Sequence, residues 1–136
     1  MNPDDLKNRT KQFAIRILKL VAALPNSLSG RTVGGQLARS GTSVGSNYRA
    51  ACRGRSKAEF ISKLGIVEEE ADESAFWMEV IIEVDLLKKQ VVEPLLNEAN
   101  RRLNWLRSWP APEFQPPRHS SEAQTANWQL AIENRQ

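Results

Sequence analysis

The sequence predicts an all-α protein: an antiparallel up-and-down four-helix bundle over residues 1–109, followed by a flexible Pro-rich C-terminal tail over residues 110–136. Three observations predict it. Apolar residues recur three and four positions apart through four successive segments. No segment carries the alternation of a half-buried strand. The connections between segments are short, which favours antiparallel neighbours.

The first helix opens at Asn2-Pro3-Asp4-Asp5, with a capping Asn, Pro at the first helical position and acids in the first turn. Its apolar stripe is Leu6, Phe13, Ile17, Leu20, Val21 and Leu24, and Pro25 ends it. After a loop over residues 26–30, the second helix is expected at about residues 31–53, with Val33, Leu37, Val44, Tyr48 and Ala51 at helical spacing. Nine of the thirteen residues 34–46 are Gly, Ala, Ser or Thr. A glycine inside a helix costs up to about 1 kcal/mol relative to alanine, so this stretch is expected to lie against something very close. The expected neighbour is the third helix or another subunit. Gly54 is expected to stop the helix by adopting positive φ.

Ser56-Lys57-Ala58-Glu59 reads as a capping box and opens the longest helix. Phe60, Leu64, Val67, Ala71, Ala75, Met78, Ile82 and Leu86 form a heptad-like seam. Reaching Leu87, the helix would span about 48 Å at 1.5 Å per residue, with Lys88 and Lys89 at its negative end. The fourth helix is expected from Pro94, carrying Leu95, Leu96, Ala99, Leu103 and Leu106. Pro110, Pro112, Pro116 and Pro117 prevent further helix, so the remainder reads as linker and tail, with Trp128 as a docking candidate.

A chain of 136 residues is long enough to bury one core. No apolar run reaches membrane-spanning length and the N-terminus lacks a signal-peptide core, so a cytoplasmic location and no membrane partner are expected. The lone Cys52 excludes an internal disulfide and reads as packing. Net charge is +3, but residues 1–57 hold eleven Lys/Arg against Asp4 and Asp5, a net of +9, and the rest of the chain carries −6. Two readings stand: the basic half faces a polyanion, or the two halves neutralise each other within the bundle or between subunits.

Catalytic arrangements are missing from the sequence. The single histidine, His119, lies in the Pro-rich segment, which removes Ser-His, Cys-His and zinc patterns. The acidic run Glu68, Glu69, Glu70, Asp72 and Glu73 lacks the Glu-x-x-His pairs of a di-metal bundle and reads as a solvated face. The glycines lack the Gly-Lys-Ser/Thr signature of a phosphate loop. No cofactor, metal or enzymatic activity is expected.

Two constellations remain. Arg39, Ser46, Arg49 and Arg53 fall within about 80° of one another on the second helix, and Arg55 and Lys57 extend the stripe around the turn. Arg49, Arg53, Arg55 and Lys57 are the candidate nucleic-acid contacts, since guanidinium and ammonium groups bind phosphates by charge and hydrogen bonds. Arg39 is read first as pairing with acids of a neighbouring helix. On the third helix Glu70, Glu73 and Trp77 share a side. With Arg39 and Asn47 they are expected to form a buried structural polar network, the alternative being the lining of a ligand pocket.

The segment QLARSGTSVGSNYRAACRGRSKAEFISKLGIVEEEADESAFWMEV resembles the signature of the bacterial four-helix-bundle proteins also called 23S rRNA intervening-sequence proteins. The matching elements are Gln36-Leu37-Ala38-Arg39-Ser40, Asn47, Ser56-Lys57-Ala58-Glu59-Phe60 and Glu70-Ala71-Asp72-Glu73-Ser74-Ala75-Phe76-Trp77. One departure is Ala50, which stands where many relatives carry a glutamate three places after the asparagine. The resemblance covers roughly Leu6 to Leu106. It implies a left-handed bundle that assembles into a ring, commonly a homopentamer. It also implies similarity to the accessory protein of diversity-generating retroelements, in which a basic pentamer binds nucleic acid and a reverse transcriptase. The expected function is therefore a non-enzymatic oligomer that binds rRNA or other nucleic acid through its basic half. The alternative is a protein-interaction scaffold whose charged halves pair within the oligomer.

Overall fold

The computed structural model describes the backbone of residues 2–107 and the side chains of residues 2–101. The expected tail, with His119 and Trp128, lies outside the described residues, as do the side chains of Leu103 and Leu106. Four helices follow in order: α1 (Pro3–Ala22), α2 (Leu28–Cys52), α3 (Lys57–Glu83) and α4 (Lys89–Arg107). Each packs on its sequence neighbour, and α1 touches α4 to close the four-helix bundle.

The N-terminal caps follow from the sequence. Asn2 Oδ1 accepts from the Asp5 amide and Asp5 Oδ2 accepts from the Asn2 amide, each at 3.0 Å. Ser56 Oγ accepts from the Glu59 amide at 3.1 Å, but Glu59 reaches one residue past its expected partner, to the Arg55 amide at 2.8 Å. That hydrogen bond holds the Glu59 carboxyl below its ordinary pKa.

Other boundaries differ from the sequence reading. Ser27, not a residue near Arg31, caps α2, its hydroxyl accepting from the Gly30 amide at 3.1 Å. Gly30 can be helical there only because it lacks a side chain: a Cβ would lie 2.0 Å from the Pro25 carbonyl oxygen. Gly54 does not take positive φ. It instead gives room beside the Ala51 oxygen, 3.0 Å from where a Cβ would stand.

Helix α3 stops at Glu83, short of Leu87, because Asp85 adopts φ 55°. The Leu86 amide then donates to the Ile81 oxygen at 3.0 Å and the Asp85 amide to the Ile82 oxygen at 3.2 Å, a Schellman closure. Lys88 and Lys89 accordingly lie at the start of α4 rather than at the end of α3. Pro94 sits inside α4, where it has no amide to donate to the carbonyl of the exposed Gln90 four residues back.

The apolar stripes meet in one core: Leu6, Phe13, Ile17 and Leu20 of α1; Val33, Leu37, Val44, Tyr48 and Ala51 of α2; Phe60, Leu64, Val67, Ala71, Ala75, Met78 and Ile81 of α3; and Val92, Leu95 and Ala99 of α4. Thr10 joins it, its hydroxyl donating back to the Leu6 oxygen at 2.9 Å. Ile81, rather than Ile82, takes the fully buried position at the end of α3.

The small residues of α2 face two ways. Gly34, Gly41 and Gly45 lie against α1, correcting the expectation that they meet the third helix. A Cβ on Gly41 would stand 2.7 Å from Ile17 Cγ2, and one on Gly45 would stand 3.2 Å from the Thr10 carbonyl oxygen. Toward α3 the contact is made by serines: Ser40 Oγ and Ser74 Oγ share a hydrogen bond at 3.1 Å, both fully buried. Gly35 faces open space.

These placements separate the glycines by consequence. Gly41→Ala should destabilise by about 1–3 kcal/mol, because Ile17 is pressed at its branched Cβ and cannot swing aside. Gly35→Ala should stabilise by up to about 1 kcal/mol through helix propensity alone. Urea unfolding midpoints of the two variants check both signs. The Tyr48 hydroxyl is buried beside Cys52 without a well-formed hydrogen bond, and burial pushes its ionisation well above the ordinary phenol range. Tyr48→Phe removes an unsatisfied group of nearly unchanged shape, so its melting temperature should equal or exceed that of the parent.

Candidate nucleic-acid interface

Arg39 projects from the middle of α2 toward α3 and meets two carboxylates one turn apart. Its Nη1 donates to Glu70 Oε2 at 3.3 Å, and its Nη2 pairs closely with Glu73 Oε1. Trp77 Nε1 donates to the same Glu73 oxygen at 3.4 Å, and the Trp77 ring packs edge-on against Phe76, centroids 4.9 Å apart. The spacing of three and four residues on α3 is what aligns Glu70, Glu73 and Trp77.

The cluster lies at the surface of the single chain rather than inside it: the Arg39 side chain is 49% exposed, Glu70 18% and Glu73 36%. Asn47 does not join it. Its amide donates to the Ser43 oxygen at 2.9 Å, one turn back on its own helix. A Ser or Asn side chain in mid-helix has a backbone oxygen within reach, and this local bond competes with the cross-helix one.

Arg49, Arg53, Arg55 and Lys57 are all exposed, from the last turn of α2 to the first residue of α3. No salt bridge within the described residues engages them, whereas Arg16 is paired with Glu98 at 2.5 Å and Arg39 with Glu70 and Glu73. Lys7 and Lys11 of α1 stand across a groove from Arg49, a pairing the sequence reading missed. Their spacing of four residues, on a face flanking the buried Leu6 and Thr10, was the available signal. Among the described residues no group of His, Cys, Asp and Glu is placed to hold a metal ion, and no helix is long and apolar enough to cross a membrane.

The Arg39 cluster makes stability depend on pH. Its hydrogen bond from Arg39, assisted by Trp77, holds the Glu73 carboxyl below its ordinary pKa. A group whose folded pKa is depressed stabilises the fold above its unfolded value, about 4.3, and that stabilisation is lost as pH falls through the folded value. Parent and Glu73→Gln should therefore differ in melting temperature at about pH 7 and converge as the pH falls below the ordinary carboxylate range. A difference independent of pH would show that the charge of Glu73 plays no part.

A sequence model of the 23S rRNA-intervening sequence proteins matches residues 5–108. Among solved structures, the chain is similar to a crystal structure from Bacteroides thetaiotaomicron VPI-5482, a protein of unknown function from the S23 ribosomal protein family. The two are 34% identical, with a TM-score of 0.70, over 75% of this chain and 94% of that one. No curated protein matches. The match to the family model spans all four helices, the small-residue stretch of α2 and the Glu70–Trp77 turn of α3, and the chain belongs to the 23S rRNA-intervening sequence protein family.

Proposed function

We propose that this protein is a non-enzymatic, oligomeric helical-bundle protein of the cytoplasm that binds rRNA or other nucleic acid through Arg49, Arg53, Arg55 and Lys57. The observation that carries the reading is the division of the basic half. Arg16 and Arg39 are neutralised by acids of α3 and α4, while these four cations face outward with no salt bridge within the described residues. Arg49 in the last turn of α2 and Arg53 at its C-cap are four residues apart, a backbone rise of about 6 Å at 1.5 Å per residue, suited to successive backbone phosphates. The family's association with rRNA genes agrees with an RNA partner.

Assembly into a ring, with a homopentamer the form that the resemblance implies, is part of the same proposal. Exposed apolar side chains on α3, Ile61, Ile66 and Phe76, support it as material for subunit contacts. The scaffold reading keeps one specific observation in its favour: Arg39 of the Arg39–Glu70–Glu73 cluster is half exposed in the single chain and is available to a neighbouring subunit or protein partner.

Titration of the purified protein with a 23S rRNA fragment tests the function. Four phosphate contacts should weaken binding about 100-fold between roughly 50 and 200 mM salt. Replacing Arg49, Arg53, Arg55 and Lys57 together by alanine should abolish most of the affinity. Absence of binding by the parent at about 50 mM salt would sink the reading. Light scattering on the same sample reads the subunit number; a monomer would remove the oligomeric part.

A further inference from the structure

Along the seam of α1 and α2 runs a groove of about 210 Å³, lined by Lys7 and Lys11 from one helix and by Thr42, Gly45, Ser46 and Arg49 from the other. Its existence follows from the close approach at Gly45, which brings the α2 backbone within reach of the Thr10 carbonyl and leaves no large side chain to fill the surface between the helices. Cations from two different helices lean over one trench, and no carboxylate lines it. Lys7 pairs with Asp4 at 3.7 Å, a carboxylate whose side chain is 89% exposed and lies outside the groove lining. Lys11 and Arg49 have no salt bridge within the described residues.

Three like charges gathered in a concave site repel one another until an anion enters. The donors present suit a phosphate: two ammonium groups that donate in several directions and one guanidinium fork. Ser46 adds a hydroxyl held only by a long bond to the Ser43 oxygen at 3.3 Å, which an incoming oxygen can replace. Thr42 is different: its hydroxyl is committed to the Ala38 oxygen at 2.7 Å and forms wall rather than donor.

We infer that this groove seats a backbone phosphate of the bound nucleic acid through Lys7, Lys11, Arg49 and Ser46, and that the strand continues from it along α2 to Arg53. This rests on the nucleic-acid reading and deepens it. The contact surface is not the end of α2 alone but a track that begins on α1.

The test compares full-length variants against the same labelled 23S rRNA fragment by fluorescence anisotropy. Lys7→Ala/Lys11→Ala should weaken binding about 10-fold or more and lower the salt slope by up to about 1, because both lysines serve the one phosphate in the groove. Ala14→Glu, which puts a carboxylate on the groove wall, should weaken binding comparably without removing any cation. Thermal melts like the parent's show that both variants are folded. Two results overturn different claims. If both variants bind like the parent while Arg53→Ala/Arg55→Ala/Lys57→Ala binds weakly, the groove assignment fails and the broader reading survives. If the parent itself does not bind, the broader reading fails and the groove with it.

Discussion

Helix α2 approaches α1 closely at two glycines. Gly41 sits on the branched carbon of Ile17, and Gly45 sits on the backbone of Thr10. Interiors pack at the density of organic crystals, so a missing Cβ at each point is what lets the two axes close. The rest of the structure depends on this approach. It draws Phe13 and Ile17 fully into the core, and it leaves the opposite side of α2 free to meet α3 through the Ser40–Ser74 hydrogen bond. The helix-propensity penalty of the glycines is offset by contacts that any larger residue would forbid.

The same geometry sorts the charges. Arg39 points toward α3, where Glu70 and Glu73 receive it, and Arg16 of α1 reaches Glu98 of α4. Both pairs join the basic first half of the chain to its acidic second half. Arg49, Arg53, Arg55 and Lys57 lie beyond the reach of those acids, at the end of the bundle where α2 turns into α3. The charge asymmetry therefore has two parts, one that ties helices together and one that is presented outward.

Much of the core was legible from spacing. Leu6, Phe13, Ile17, Leu37, Val44, Tyr48, Phe60, Val67 and Met78 occupy the buried positions that three-and-four periodicity assigned to them. Thr10 and Ser74 were missed because a hydroxyl counts as polar in any pattern, although each satisfies itself on its own helix, at the oxygens of Leu6 and Glu70. Val92 was missed because Pro94 was read as a helix start, and the end of α3 because Asp85 adopts a left-handed conformation with no glycine to announce it. In the candidate site, the Arg39–Glu70–Glu73–Trp77 grouping was readable from helix faces, but the half-exposed position of Arg39 and the separation of Asn47 were not.

By itself the sequence determined four helices, the face each buries, the small-residue stretch of α2 and the segregation of charge along the chain. These are properties of local spacing and composition, and they hold whichever neighbour a helix finds. Only the tertiary structure decided that the glycines meet α1, that Ser40 meets Ser74, that Arg39 is paired while Arg49 is not, and that Lys7 and Lys11 stand across a groove from Arg49. Periodicity specifies a face but not its partner. The partner follows from which pair of faces packs most closely, and that depends on residues far apart in the chain.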